Sequence, residues 1–294
     1  MNVAVVDIGT NSTRLLVADV RDGAVRELDR RSIVTRLGEG VDRTGRLSDA
    51  AQQRVLRVLD GFAAALDGCE RRVAVLTSAV RDAANGAEFA RRVAEGYGLE
   101  ARTLSGDEEA ELTFRGAAVG RDGELLVIDV GGGSTELVAG ARGRVRAHVS
   151  TQNGVVRHTE RHLHDDPPAP EQLDALARDV RRSLEAEVRF ACDGEAVAVA
   201  GTATQCAAID LRLEPYDAAR VEGHALSTAR LRELLDQVAA VPLAERRAIP
   251  GLDPDRAPVI VAGIVILLEV VGHFGLDGFT ASEHDILWGV ALTA

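Results

Sequence analysis

One short unit occurs twice in this chain, and that duplication restricts the fold more than any other feature. Leu125 to Gly140 reads LLVIDVGGGSTELVAG: a β-branched apolar run ends in Asp129, passes through Gly131, Gly132 and Gly133, and resumes as a second apolar run. The local structure that follows is strand, glycine turn, strand. Ala4 to Leu16 reads AVVDIGTNSTRLL, and a shift of 122 positions sets Asp7 on Asp129, Gly9 on Gly131, Ser12 on Ser134, Thr13 on Thr135 and Leu15 on Leu137. A single turn of this kind is explained by an ordinary hairpin. Two copies in the same order suggest two similar α/β halves whose loops face each other across a cleft. A carboxylate at a strand end, next to residues without a Cβ, offers amides that cradle phosphate beside an acid that holds its counter-cation.

Composition narrows the chemistry. A chain of 294 residues, 46% hydrophobic, can bury one large core or two medium ones, and the repeat favours two. All 34 basic residues are arginine. A GC-rich genome accounts for that bias, but the absence of lysine excludes a Walker-A lysine and a Schiff base. The net charge of −12 argues against a general nucleic-acid or anionic-membrane binder. Cys69, Cys192 and Cys206 lack metal-ligand spacing and read as free thiols of a reducing cytosol. No signal peptide is expected, since Met1-Asn2 runs straight into the first strand, and a cytoplasmic location follows. The apolar run Ala257 to Leu268 is shorter than the about 20 residues a membrane span needs, and reads as a buried helix.

Along the chain, strands are expected at about 3–8, 13–20 and 25–34, then a helix over about 50–66 capped by Asp49 with Gln52. A buried strand near 73–77 delivers Ser78 to Asp82 as a small-residue loop at its carboxyl end, where open α/β sheets bind ligands. Most arginines here read as solvated faces. Arg81, in that loop, has a planar fork suited to a phosphoryl group. Asn85 with Glu88 is expected to cap the next helix, and Ser105 with Glu108 the one after it. That gives Glu108 a backbone duty and leaves Glu109 in the first turn without one, where on its own it reads as an exposed helix acid. Residues 142–149 read as an exposed strand. His158, His162 and His164 invite a metal reading, but His158 and His162 lack a third ligand at suitable spacing, and a solvated helix face is preferred. The buried strand 196–200 delivers Gly201-Thr202-Ala203-Thr204 as a loop, and a final strand near 278–281 leads through Ser282-Glu283-His284-Asp285 into a short helix holding Trp288.

The paired Asp-x-Gly turns resemble the phosphate loops of the actin, Hsp70 and sugar-kinase superfamily. Four strings together resemble its exopolyphosphatase and guanosine pentaphosphate phosphatase (Ppx/GppA) branch: Asp7-Ile8-Gly9-Thr10-Asn11-Ser12, Ser105-Gly106-Asp107-Glu108-Glu109-Ala110, Asp129 through Leu137, and Gly201-Thr202-Ala203-Thr204. The resemblance implies an α/β fold of two similar ribonuclease H-like (actin-like ATPase) domains with mixed sheets facing a central cleft. These would be 1–120 and 121–294, with the last helix able to pack back on the first domain. It implies a Mg2+ or Mn2+-dependent hydrolase that removes terminal phosphate from inorganic polyphosphate, or from guanosine pentaphosphate in the stringent response; short chains are expected because a two-domain cleft contacts few phosphates and an acidic surface gives a long polyanion no reward. A kinase or ATPase and a non-enzymatic phosphate-ligand sensor are the alternatives.

In that family pattern Glu109 is the general base and Arg81 contacts the terminal phosphate. Asp129 and Glu136 hold the metal, with Asp7 facing the same ion. Asn11, Ser12, Gly131, Gly132, Gly133, Ser134 and Thr135 grip phosphates, while Arg157, Gly201 and Thr202 border the substrate. No nucleic-acid or membrane partner is implied, and a homodimer is compatible. Several family members carry a Gly and an Arg before the closing glycine. Here His284 and Leu287 stand there, which weakens the case for an anion contact from the last helix. The helical domains appended to longer relatives are expected to be absent.

Overall fold

A computed structural model describes the whole chain, Met1 to Ala294, as two compact units: Met1–Val119 with His284–Ala294, and Gly120–Glu283. The first unit opens with strands β1 (Asn2–Ile8), β2 (Ser12–Arg21) and β3 (Ala24–Val34), followed by helices α1 (Val41–Thr44) and α2 (Asp49–Leu66). Strand β4 (Arg71–Leu76), helices α3 (Ser78–Asp82) and α4 (Gly86–Tyr97), strand β5 (Glu100–Thr103) and helix α5 (Gly106–Ala117) complete its continuous part. The sheet order is β3-β2-β1-β4-β5, with β1 antiparallel to β2 and parallel to β4. Strand alternation sorts its core into two layers. Ala4, Val6 and Ile8 pack with Val55, Leu59 and Phe62 of α2, whereas Val3 and Val5 pack with Leu16, Leu104 and Leu112. Each such side chain contributes roughly 1.5–3 kcal/mol by leaving water. Asp7 continues the Val3, Val5 face, so the same alternation carries its carboxylate inward.

The second unit contains β6 (Glu124–Val130), β7 (Thr135–Ala141), β8 (Arg144–Thr151), α6 (Val155–His162), α7 (Pro170–Glu187), β9 (Glu195–Val199) and α8 (Ala200–Leu211). It continues with α9 (Ala218–Val221), β10 (Ala225–Ser227), α10 (Thr228–Ala239), α11 (Leu243–Arg246), α12 (Ile260–His273) and β11 (Gly278–Ala281). Its sheet order is β10-β11-β9-β6-β7-β8. Strands β8-β7-β6-β9-β11 thus repeat β3-β2-β1-β4-β5, with β10 added at the edge. The irregularities repeat as well: a register shift between Val17 and Ala18 recurs 122 residues on, between Ala139 and Gly140. In both hairpins the two turn residues, Asp22-Gly23 and Arg142-Gly143, have positive φ, as a tight turn between right-twisted strands requires. Arg142 is therefore a turn residue rather than part of a strand. Helix α12 is buried on nearly every side, and no helix is long and apolar enough to cross a membrane.

The closing segment carries helix α13 (Ile286–Ala291) and groups with the first unit. Two glycines explain the return. A Cβ on Gly116 would lie 2.0 Å from the Asp285 carbonyl oxygen, and one on Gly289 would lie 1.8 Å from that of Leu112. Only hydrogen at both positions lets α5 and α13 pack this closely.

Two expected caps differ. The α2 cap is Ser48, whose hydroxyl accepts the Ala51 amide at 3.2 Å, while the Gln52 side chain donates to the Leu47 carbonyl at 3.2 Å. Asn85 does not cap α4 with its side chain, because that amide pairs in both directions with the Leu47 backbone at 2.9 Å. The Ser105–Glu108 capping box of α5 is present in full, and the hydrogen bonds from Ser105 hold the Glu108 carboxyl below its usual range.

Candidate active site

The first turn is held by its carbonyls. The Gly9 amide donates to the Ser12 carbonyl at 3.0 Å, the Thr10 carbonyl accepts the Gly38 amide at 2.8 Å, and the Asn11 carbonyl accepts those of Thr35 and Arg36 at 2.9 and 2.8 Å. The Thr10 hydroxyl is 2.8 Å from Ser78 Oγ and accepts the Ala79 amide at 3.2 Å. Ser78 opens α3, so the segment expected as a loop is a helical turn tied to the glycine turn. Ser12 Oγ is buried and has no hydrogen-bond partner.

Asp7 is buried, and its cross-strand partner is Arg14. Arg14 Nε and Nη2 both donate to Asp7 Oδ2, at 2.8 and 2.6 Å, while Nη1 donates to Asp285 at the start of α13. Asp7 Oδ1 is buried without a hydrogen-bond partner. Burial pushes the Asp7 carboxyl up, Arg14 pulls it back through charge and hydrogen bonding, and the Asp285 charge adds a smaller upward push.

Glu109 and Arg81 meet in the same unit. Arg81 Nη1 donates to Glu109 Oε2 at 2.9 Å and to the Leu104 carbonyl at 3.0 Å. Glu109 is 7% exposed, so the exposed-acid reading is overturned: the first turn of α5 points its second glutamate inward, while Glu108 is spent on the cap.

In the second turn the Gly131 amide donates to the Ser134 carbonyl at 3.0 Å, the same closure as in the first. Helix α6 takes up the turn's carbonyls: Val155 N–H donates to Gly131 O at 3.0 Å, Val156 N–H to Gly132 O at 2.9 Å, and Arg157 Nε to Gly133 O at 3.0 Å. Gly154 makes this possible, since a Cβ there would lie 2.2 Å from the Gly133 carbonyl carbon. Thr135 Oγ1 donates to the Asn153 carbonyl, and Thr202 Oγ1 to the Val130 carbonyl at 3.0 Å. Gly201 and Thr202 lie in the first turn of α8 rather than in a loop, because β9 passes into that helix through Ala200 at φ 60°.

Asp129 and Glu136 are buried cross-strand partners, and Ser150 Oγ donates to Glu136 Oε1 at 2.8 Å. Two carboxylates directly opposite on adjacent strands repel unless a positive charge joins them. As oxygen donors they fit a hard divalent cation, and in the first unit the orphaned Asp7 Oδ1 is a ligand atom of the same kind.

A model of the Ppx/GppA phosphatase family matches residues 16–292. The chain belongs to that family. Exopolyphosphatase 2 of Mycobacterium tuberculosis is 39% identical over 99% of this chain and 98% of its own. The crystal structure of the Aquifex aeolicus Ppx/GppA family member is similar with a TM-score of 0.84 and 32% identity, over 100% of this chain and 97% of that one. An exopolyphosphatase from Cytophaga hutchinsonii is similar with a TM-score of 0.87 and 26% identity, over 100% and 97%. The mixed α/β fold read from the turns is that of the Ppx/GppA proteins.

Several residues of this candidate site escaped the sequence reading. Arg14 carried a usable signal: under the 122-residue shift it falls on Glu136, the position where the two copies differ in charge. Asp285 and the Thr10–Ser78 tie carried none, being long-range contacts. Arg256 packs over Gly201, where a Cβ would meet its Nη1 at 1.7 Å, and nothing local announced it. Two of the three histidines differ from the solvated face expected of them, His158 being buried and His162 half-buried, while His164 is exposed as expected. His158 is 1% exposed, and α7 supplies Asp179 beside His158 and His162, a neighbour invisible to sequence spacing.

Proposed function

We propose that the chain is an exopolyphosphatase that removes terminal phosphate from short inorganic polyphosphate with the help of Mg2+ or Mn2+. The reading is carried by the buried, opposed Asp129 and Glu136 at the foot of a glycine turn whose carbonyls are drawn off by α6. The name of the M. tuberculosis relative supports the substrate class. With its carbonyls engaged elsewhere and the Gly131 amide spent on closing it, the turn offers the amides of Gly132, Gly133 and Ser134 and the Ser134 hydroxyl to phosphate oxygens. Asn11 and Ser12 do the same in the first turn, where Ser12 Oγ has no competing partner. Asp129 and Glu136 would hold the cation in the second unit, and in the first unit Asp7 Oδ1 is a buried oxygen donor without a hydrogen-bond partner. The cation, when bound, neutralises phosphate charge and the charge that develops on the leaving oxygen.

Glu109 takes a proton from a water as that water's oxygen attacks the terminal phosphorus in line. The bridging P–O bond breaks, and the shortened chain leaves with its electron pair. Arg81 fixes the Glu109 carboxylate through Nη1 and presents the rest of its fork to the terminal phosphoryl group. The net charge of −12 gives a long polyanion no general reward for lying on the surface, which supports a preference for short chains.

The test is phosphate release from short polyphosphate, long polyphosphate, ATP and guanosine pentaphosphate, each with and without Mg2+. Short polyphosphate should give the fastest turnover per chain end, and Glu109→Gln should slow it by about 10² to 10⁴ with affinity retained. Faster turnover on long chains, on guanosine pentaphosphate or on ATP would overturn the substrate reading. A fully active Glu109→Gln would overturn the base.

A further inference from the structure

Below the second glycine turn lies a group of side chains that the hydrolytic reading does not use. His158 and His162 are one helical turn apart on α6, and Asp179 faces them from α7. The two imidazoles stack with centroids 5.5 Å apart and planes 12° from parallel. His162 Nε2 is 3.1 Å from Asp179 Oδ2, and His158 Nδ1 is 3.9 Å from the same oxygen. One donor atom from each residue falls within 4.8 Å of the other two.

The hydrogen-bond network sets the tautomer of His158. Its Nε2 is 3.0 Å from Asn153 Oδ1, and Asn153 Nδ2 is committed as a donor to Thr151 Oγ1 at 3.0 Å and Ser183 Oγ at 2.9 Å. The Asn153 atom facing the ring is therefore an acceptor, so Nε2 carries the proton and Nδ1 carries the lone pair. That Nδ1 is buried and has no hydrogen-bond partner, in a residue that is 1% exposed. A lone pair directed toward a carboxylate oxygen with no hydrogen between them is unfavourable unless a positive charge joins them. A metal ion satisfies the lone pair and the carboxylate together.

We propose that His158 Nδ1, His162 Nε2 and an Asp179 oxygen form a transition-metal site of the zinc type that ties α6 to α7. Two imidazoles and one carboxylate suit Zn2+ or its neighbours, whereas Mg2+ takes oxygen ligands, which separates this site chemically from Asp129 and Glu136. Asn153 plays the outer role usual for a ligating imidazole, holding the ring by its other nitrogen. Ligands about 2.0–2.2 Å from an ion lie closer together than 4.8 Å, so His162 and Asp179, both half-buried, close in as it binds. Arg182, 3.1 Å from Asp179 Oδ1, together with Arg157 and Arg161, opposes the added charge and keeps the affinity moderate. Solvent on the open side supplies the remaining ligand. Because the first amides of α6 and the Arg157 side chain hold the carbonyls of Gly131, Gly132 and Gly133, the ion braces the helix on which the second turn rests.

The experiment uses the full chain in a Cys69→Ser background, stripped with chelator and held in excess Mg2+ so that hard-cation sites are filled. Zn2+ is titrated by calorimetry, with Co2+ as a spectroscopic probe. The expected result is one equivalent bound, visible Co2+ bands of the intensity that imidazole ligation gives, and a higher melting temperature. His162→Ala and Asp179→Asn, both at half-buried positions, should each weaken binding by at least about tenfold with unchanged far-ultraviolet dichroism. Absence of saturable binding, or a double variant His162→Ala/Asp179→Asn that binds as the parent does, overturns the site.

Discussion

The two glycine turns are near copies in backbone and opposites in charge. Gly9 and Gly131 close them with the same 3.0 Å bond to the serine carbonyl three residues on, and a Cβ on either glycine would meet that oxygen at 3.2 Å. Across the hairpin from the acid, however, the first copy has Arg14 and the second has Glu136. In the first, one carboxylate oxygen is neutralised from within and a second acid, Asp285, shares the guanidinium. In the second, two carboxylates face each other. Similar backbone thus supports two cross-strand pairings: an acid opposite a guanidinium in the first turn, and an acid opposite an acid in the second. A duplicated scaffold keeps its hydrogen bonds and diversifies at the cross-strand position, where one substitution changes the ligand without disturbing the turn.

The strongest way to break this comparison is to write the first pairing into the second turn. Glu136→Arg should remove metal-stimulated phosphate release by about 10³-fold while the fold persists, as followed by Mg2+ titration of the rate and by circular dichroism. Retained Mg2+ dependence would mean that the opposed carboxylates are not the metal's ligands. The reciprocal change acts on stability. Arg14→Met leaves Asp7 buried without its cation and Asp285 with Arg30 alone, at 3.4 Å, and should cost about 3–5 kcal/mol in urea unfolding of the first unit. Adding Asp7→Asn should recover part of that loss; if it recovers none, Arg14 works by packing rather than by charge.

Two smaller effects sharpen the contrast. Glu108→Gln weakens the box that starts α5 and should lower stability by about 1 kcal/mol or less in thermal melting, with turnover kept, unlike Glu109→Gln. Asp19 provides a pH effect in the first unit alone, its carboxyl held down to about 2 chiefly by the hydrogen bond from Arg21, with further help from Arg26 and the N-terminus. An acid whose folded pKa is depressed adds stability above its unfolded value, and that stability is lost as the pH falls through the folded one. The Asp19 contribution should therefore fade between pH 3.8 and about 2, and Asp19→Asn should flatten acid unfolding in that window. An unchanged slope would assign the acid sensitivity to other groups.

What was legible in the sequence was what is local or periodic. Strand alternation in β1 and β6, the two turns, the Ser105 cap and the apolar helix α12 depend on neighbours within a few residues, and they stand where the pattern put them. Long-range competition defeated the rest. Asn85 has the right position for a cap, but the Leu47 backbone, 38 residues away, claims its side chain. Ser78 to Asp82 and Gly201 to Thr204 look like loops because small residues carry little helical signal, and both wind into helices where a preceding strand hands the chain over. His158 was misread because spacing reveals only the face of its own helix, and the residues that bury it come from α7 and from the 151–153 segment.

The return of α13 to the first unit carries a consequence for how this chain is made. The second unit is one continuous stretch, Gly120–Glu283, whereas the first needs residues from both ends. On the ribosome the usual order, early domain first, is therefore inverted. All of the second unit has been synthesised before Asp285 exists to share Arg14 or Gly289 to meet Leu112. Until then the five-stranded sheet holds Asp7 and Arg14 with one acid fewer and an uncovered patch around Val3, Val5 and Leu16. Residues 284–294, made only after the whole of the second unit, complete the oldest part of the chain, so a chain cut just before them would carry a finished second unit and an unfinished first one.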